Sequence, residues 1–181
     1  MASPSRSMLP NPQAGPRDAP VNVSELLHRV IGELAELIAR RNAEVEVGRT
    51  AEDLCVRGPE TAVRQILYHL LRNALEASPN CGLVRVHLHE RAGQVMIDVT
   101  DDGPGIAAQY MSKIFRRGFT TKAGCKGQGL AEVEGCLGRL RAAIAWESPL
   151  RSGRGCRFTV TLPGLAVSPT PSSNSTSPAE K

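Results

Sequence analysis

The chain is 181 residues long with a formal net charge of +4; 41% of its residues are hydrophobic, 22% charged and only 3% aromatic. That length suffices for one ordinary domain with an aliphatic core, burying about 70% of the surface its unfolded chain exposes, so no disulfide or metal staple is required. The mild charge, without a sustained basic run or interleaved aromatics, argues against a nucleic-acid binder.

Residues 1–20 and 165–181 are rich in Pro, Ser and Asn and poor in large apolar side chains, so both are expected to be disordered tails around a structured unit at 21–164. Val23, Leu26, Leu27, Val30, Ile31, Leu34, Leu37 and Ile38 recur at helical spacing. With Asn22 as N-cap and Glu25 three positions on, they predict an amphipathic helix ending near Arg41. The stretches "AEVEVG" and "DLCVRG" predict two short strands around a turn. Pro59 suits the first turn of a second helix, whose apolar face is Val63, Ile66, Leu67, Leu70, Leu71 and Ala74, up to about Ser78. Leu83 to His89 and Val95 to Val99 alternate as neighbouring strands joined by "ERAGQ". After a long loop, Leu130 to Leu140 is helical, and "AAIAWES" and "CRFTVTLP" read as a closing strand pair. Consecutive antiparallel strands alternating with helices predict an α+β sandwich with helices on one face of the sheet.

Five cysteines, an odd number with no CxxC pair, argue against a disulfide framework or a zinc site and fit reduced thiols. No apolar run approaches the ~18 residues of a membrane span, and no signal-peptide layout opens the chain. A soluble, cytoplasmic chain without membrane contact is expected.

Three elements carry chemically apt residues. On the second helix, Asn73 offers an amide oxygen, a hard ligand suited to Mg²⁺, and His69 one turn earlier could polarise a proton or orient a phosphoryl group. Read alone, the pair is better taken as a polar helix edge. In "VTDDGPGI", Asp101 ends an alternating strand and could accept the exocyclic amine of adenine, while Gly103 and Gly105 let backbone approach a purine. The same letters also spell a tight turn. In "KGQGLAEV", Gly127 and Gly129 lead into a helix, and backbone N–H groups at a helix start suit phosphate.

In this order, the three elements resemble the GHKL ATPase superfamily, most closely the ATP-binding catalytic domain of sensor histidine kinases. "HLLRNALEAS" looks like the N box, "DVTDDGPGI" like the first glycine box, "IFRRGFTTK" like the F box and "CKGQGLAEV" like the second glycine box. "GRGCRFTVTLP" resembles the family's closing strand, and "VNVSELLHRVIGEL" the segment that leads in from the dimerisation helices. The resemblance covers about residues 21–164 and implies the Bergerat-type fold, with a mixed, mainly antiparallel sheet. It implies ATP and Mg²⁺ as cofactors: Asn73 holding Mg²⁺, Asp101 reading adenine, and Gly103, Gly105 and Ile106 lining the purine. Phe115 would anchor a lid running from Ile106 to Lys126, with Thr121 and Lys122 near the phosphates. Gly127, Gly129 and Leu130 would meet the phosphates at the helix start.

Two positions depart from the family pattern. His69 stands where most histidine kinases have the first Asn of the N box and hydrolysing relatives a Glu, and Cys125 stands in place of the first glycine of the second box. None of His28, His69, His87 and His89 sits in a phosphoacceptor setting; His28 reads as a surface residue, and His87 and His89 as an exposed sheet face. The expected function is transfer of the γ-phosphoryl of ATP to a histidine on another domain or chain. That histidine would lie on a dimerisation hairpin or a phosphotransfer protein, with a response regulator downstream. The alternative is a non-catalytic, nucleotide-responsive interaction module of the same fold.

Overall fold

A computed structural model describes residues 19–48, 54–122, 124–150 and 153–165. In chain order the elements are β1 (Pro20–Asn22), α1 (Val23–Glu33), α2 (Ala35–Arg41), β2 (Glu44–Val47), β3 (Cys55–Arg57) and α3 (Glu60–Ala77), then β4 (Leu83–Arg91), β5 (Gln94–Asp101), α4 (Gly129–Leu140), β6 (Ala143–Glu147) and β7 (Cys156–Pro163). The main sheet has five strands in the order β2-β4-β5-β7-β6. Only the β2–β4 pair is parallel. The result is the sandwich expected from the element order, with the mixed, mainly antiparallel sheet that the resemblance implies.

Alternation along the strands decides which face is covered. Val84, Val86 and Leu88 of β4, Val95, Ile97 and Val99 of β5, and Phe158, Val160 and Leu162 of β7 are all buried. Their neighbours Arg85, His87 and Arg157 look out to solvent. Against the buried face lie Leu26, Leu27 and Val30 of α1, Ile66, Leu67, Leu70 and Leu71 of α3, and Val133, Leu137 and Leu140 of α4. The core is aliphatic, as the scarcity of aromatics requires.

The first predicted helix is two. Asn22 caps α1 as expected, its Oδ1 accepting from the Glu25 N–H at 3.1 Å. At Leu34, however, the backbone N–H is shared between the carbonyls of Val30 (3.2 Å) and Ile31 (3.1 Å), and this tightened turn separates α1 from α2. Leu34 thereby stays in the core while α2 continues with no fully buried residue.

The two short strands expected around a turn do not pair with each other. β3 pairs antiparallel with β1, Asn22 opposite Cys55, and β2 enters the main sheet parallel to β4. A parallel neighbour needs a long crossover, which α3 supplies, and such a pairing leaves no local turn signal. The expected tails fall mostly outside the described residues. Pro20 already pairs in β1, and the Leu165 N–H donates to the Cys55 carbonyl at 2.9 Å.

All five cysteines are free thiols. Among the described residues, no helix is long and apolar enough to cross a membrane.

Leu67 is fully buried between helix and sheet, whereas the Arg64–Glu33 ion pair lies near the surface. In urea unfolding, Leu67→Ala should cost about 2–5 kcal/mol, and Arg64→Ala no more than about 1 kcal/mol.

Candidate functional site

The apolar face of α3 fixes the helix's rotation, and that rotation aims its other edge at a cleft. His69, Arg72, Asn73 and Glu76 follow at helical spacing along that edge and line a cavity of about 760 Å³. Its other walls are the loop after β5, the segment running to residue 127, the start of α4, and Cys156 and Phe158 of β7. Lys122 reaches across from the loop. Its Nζ donates to the Asn73 side-chain oxygen (2.7 Å), the Asn73 carbonyl (3.2 Å) and a Glu76 carboxylate oxygen (3.1 Å). The other Glu76 oxygen takes the Arg72 guanidinium at 2.8 Å. Burial works against ionising Glu76, yet the Arg72 hydrogen bond and the Lys122 charge outweigh it and hold the carboxyl below its ordinary value.

Asp101, at the end of β5, is the one buried carboxylate among the described residues, 5% exposed. Burial pushes its pKa up to about 6, against backbone N–H groups of Gly103 and Cys156 that favour the charged form. The Gly103 N–H donates to Oδ1 at 3.0 Å. Glycines are required around this carboxylate. A Cβ on Gly103 would sit 2.7 Å from the Ala77 carbonyl, and one on Gly155, whose φ is +80°, 2.5 Å from the Asp101 carbonyl. A Cβ on Gly105, whose φ is +81°, would sit 2.9 Å from the Ser148 hydroxyl, which accepts from the Ile106 N–H at 2.7 Å.

The loop over the cleft is closed at its base by the Gly118 N–H donating to the Gly127 carbonyl at 2.8 Å. Gly127 has φ +61°, and a Cβ there would meet the Phe119 carbonyl at 2.5 Å. Cys125 is exposed and does not need a glycine conformation; the positive φ belongs to Gly124 beside it. Tyr110 and Phe119 stack at 5.5 Å below the loop. α4 then starts at Gly129 with no side-chain cap, so its first N–H groups face the cleft free for an anion. Glu132, in the first turn of α4, bonds His69 Nε2 at 2.7 Å. Gly129 leaves room for that ring, a Cβ there lying 3.2 Å from His69 Nδ1.

Of the residues expected from sequence, His69, Asn73, Asp101, Gly105, Ile106, Thr121, Lys122, Gly127, Gly129 and Leu130 all line this cleft. Two do not. Gly103 lies behind Asp101 against the end of α3, where only its N–H serves the site. Phe115 points away and packs on Trp146 with ring centroids 5.1 Å apart, and of the two phenylalanines in that segment it is Phe119 that lines the cleft, beside Tyr110 and Phe158. Sequence reasoning also missed Glu76, Glu132, Gly155 and Cys156. Glu76 was legible as the residue three after Asn73 on the same helix edge. Glu132 is one turn into the glycine-led helix and could have been paired with His69 by charge.

A Mg²⁺ ion fits the observed chemistry: an oxygen-rich corner at Asn73 already attracts a cation, the Lys122 ammonium, at hydrogen-bonding distance. Elsewhere, His28 is exposed and bonded to its own helix, and His89 lies 3.8 Å from Asp98 on the open sheet face. Among the described residues, no group of three His, Cys, Asp or Glu side chains gathers to hold a metal.

The raised pKa of Asp101 has a consequence for stability. The folded carboxyl keeps its proton up to about pH 6, while the unfolded one releases it near 3.8. The destabilisation is therefore absent below about pH 4, grows as pH rises through 6 and is complete above it. Relative to Asp101→Asn, the nucleotide-free wild type should lose up to about 3 kcal/mol of unfolding free energy between pH 4 and pH 7. A pH-independent difference in chemical denaturation would refute this.

The sequence matches the family of "Histidine kinase-, DNA gyrase B-, and HSP90-like ATPase" over residues 58–165. It is 33% identical over 141 residues to the sensor histidine kinase ZraS of Escherichia coli K12, covering 76% of this chain and 30% of ZraS, so the chain spans about a third of that relative. The fold superposes on a mycobacterial sensor histidine kinase, MprB, with a TM-score of 0.71 and 29% identity, covering 81% of this chain and 97% of that one. The catalytic domain of the histidine kinase ThkA gives 0.70 and 28%, covering 81% and 95%. These relatives favour a catalytic domain over a non-catalytic module. The chain belongs to the histidine kinase-, DNA gyrase B- and HSP90-like ATPase family, as an ATP-binding catalytic domain of the histidine kinase type.

Proposed function

We propose that this domain binds Mg²⁺–ATP and passes the γ-phosphoryl to a histidine on another domain or chain in two-component signalling. The observation that carries this reading is the convergence of Asn73, Asp101 and the uncapped start of α4 on one cleft. Asp101 is the acceptor for the adenine amine, and Ile106, Leu130 and Phe158 supply apolar walls for the ring. The first N–H groups of α4, with Lys122 and Thr121 from the loop, take the phosphate oxygens. Asn73 would hold the magnesium ion, which when bound would supply positive charge to neutralise the phosphates.

Transfer itself needs positioning more than covalent help from the protein. A neutral imidazole nitrogen of the acceptor attacks the γ-phosphorus as its bond to the bridging oxygen breaks, and ADP leaves with that electron pair. The acceptor histidine would come from a dimerisation hairpin or a phosphotransfer protein, with a response regulator downstream. His69 closes the phosphate end of the cleft. Its Nε2 is committed to Glu132, which leaves Nδ1 beside Gly129 to accept a proton or orient a water.

With radiolabelled ATP and Mg²⁺, the chain should label a cognate histidine-bearing hairpin, and Asn73→Ala should abolish that labelling. Tight ATP binding with no transfer would instead mark an interaction module. In calorimetry, Asp101→Asn should weaken ATP binding by about 1–3 kcal/mol. Wild-type affinity should also fall as pH drops through about 6, where Asp101 takes up its proton. Comparison with the Asn variant cancels the titration of the nucleotide; parallel pH profiles would refute the adenine assignment.

A further inference from the structure

We propose that Glu76 shares the metal ion with Asn73, and that Lys122 is an internal cation occupying this two-residue site until metal and nucleotide displace it. The inference rests on the nucleotide-binding reading above and adds to it a ligand and an occupant. Three oxygens surround the Lys122 ammonium: the Asn73 side-chain oxygen at 2.7 Å, the Asn73 carbonyl at 3.2 Å and Glu76 Oε2 at 3.1 Å. Such an all-oxygen cradle suits a hard cation of either kind.

Asn73 by itself is a neutral ligand, and a neutral amide holds a divalent ion weakly. Glu76, three residues on along the same edge of α3, brings the missing negative charge to the same point in space. Its geometry is pre-set, because Oε1 is held by the Arg72 Nε at 2.8 Å and only Oε2 is engaged by the lysine. When Lys122 leaves, Oε2 is exposed beside the Asn73 oxygen, already oriented. Without a metal that carboxylate would face the phosphates and repel them, so sharing the ion removes the one unfavourable charge on this wall. The released ammonium lies on the loop over the cleft and can follow the phosphates. One exchange of cations thus links metal entry to a rearrangement of the loop.

The test uses Mn²⁺ as the probe, followed by loss of its free electron-paramagnetic-resonance signal on the full chain. Without nucleotide, Lys122→Met should bind Mn²⁺ about tenfold or more tightly than wild type, and Lys122→Met/Glu76→Gln should return to the weak wild-type level. A single variant no tighter than wild type, or a double variant as tight as the single one, would overturn the proposal. A second measurement guards against misfolded variants. In the presence of AMPPNP, Glu76→Gln alone should weaken Mn²⁺ binding about tenfold, while metal-free AMPPNP binding stays equal to wild type or tightens. Unchanged Mn²⁺ affinity in that complex would sink the role of Glu76 and leave the nucleotide cleft standing. Failure of wild type to bind AMPPNP with or without metal would instead reject the nucleotide-binding reading itself.

Discussion

The packing of α3 against the sheet is the constraint on which the site depends. Ile66, Leu67, Leu70 and Leu71 are buried almost without residual exposure, and a helix pinned along one face has no freedom to rotate. His69, Arg72, Asn73 and Glu76 are therefore aimed by hydrocarbon. Their positions relative to Asp101 are as rigid as the seam between α3 and β5. The polar edge could change chemistry by substitution without disturbing the fold, because none of its members contributes to that seam.

The opposite wall is built on the reverse principle. Asp101 is placed where water is scarce, and two glycines, Gly103 and Gly155, crowd it so closely that no side chain could replace them. Folding thereby creates a carboxylate whose charged form is disfavoured in the empty domain, as the proposed pairing with a donor on the ligand requires. A hydrogen bond to a charged acceptor in such surroundings counts for more than one at the surface. The cost of that burial is concentrated in one residue, and the aliphatic core under it supplies the margin.

Much of this was legible in the sequence, and the exceptions share a cause. β7 matches its expected bounds to the residue, Asn22 caps the helix it was expected to cap, and the glycine pair marks the start of α4. Each of these signals is local: alternation, a cap, a turn. The parallel entry of β2 beside β4, the β1–β3 pair and the partnership of Lys122 with Glu76, 46 positions apart, depend on contacts that only the folded chain makes. The exchange of Phe115 for Phe119 is of the same kind. Both lie in one basic segment, and only the stacking of Trp146 on one and Tyr110 on the other separates the outward ring from the inward one.

Trp146 is the sole tryptophan of the chain, on edge strand β6, with its ring against Phe115 and its Nε1 donating to Met111 Sδ at 3.3 Å. Both partners belong to the segment between the loop after β5 and the loop closed by Gly118 and Gly127, and neither lines the cleft. The molecule therefore carries a built-in optical reporter, whose ultraviolet emission senses the seating of that segment from outside the cleft. Any displacement that unstacks Phe115 would register there as a change in intensity or wavelength, with no dye attached and no residue of the cleft altered.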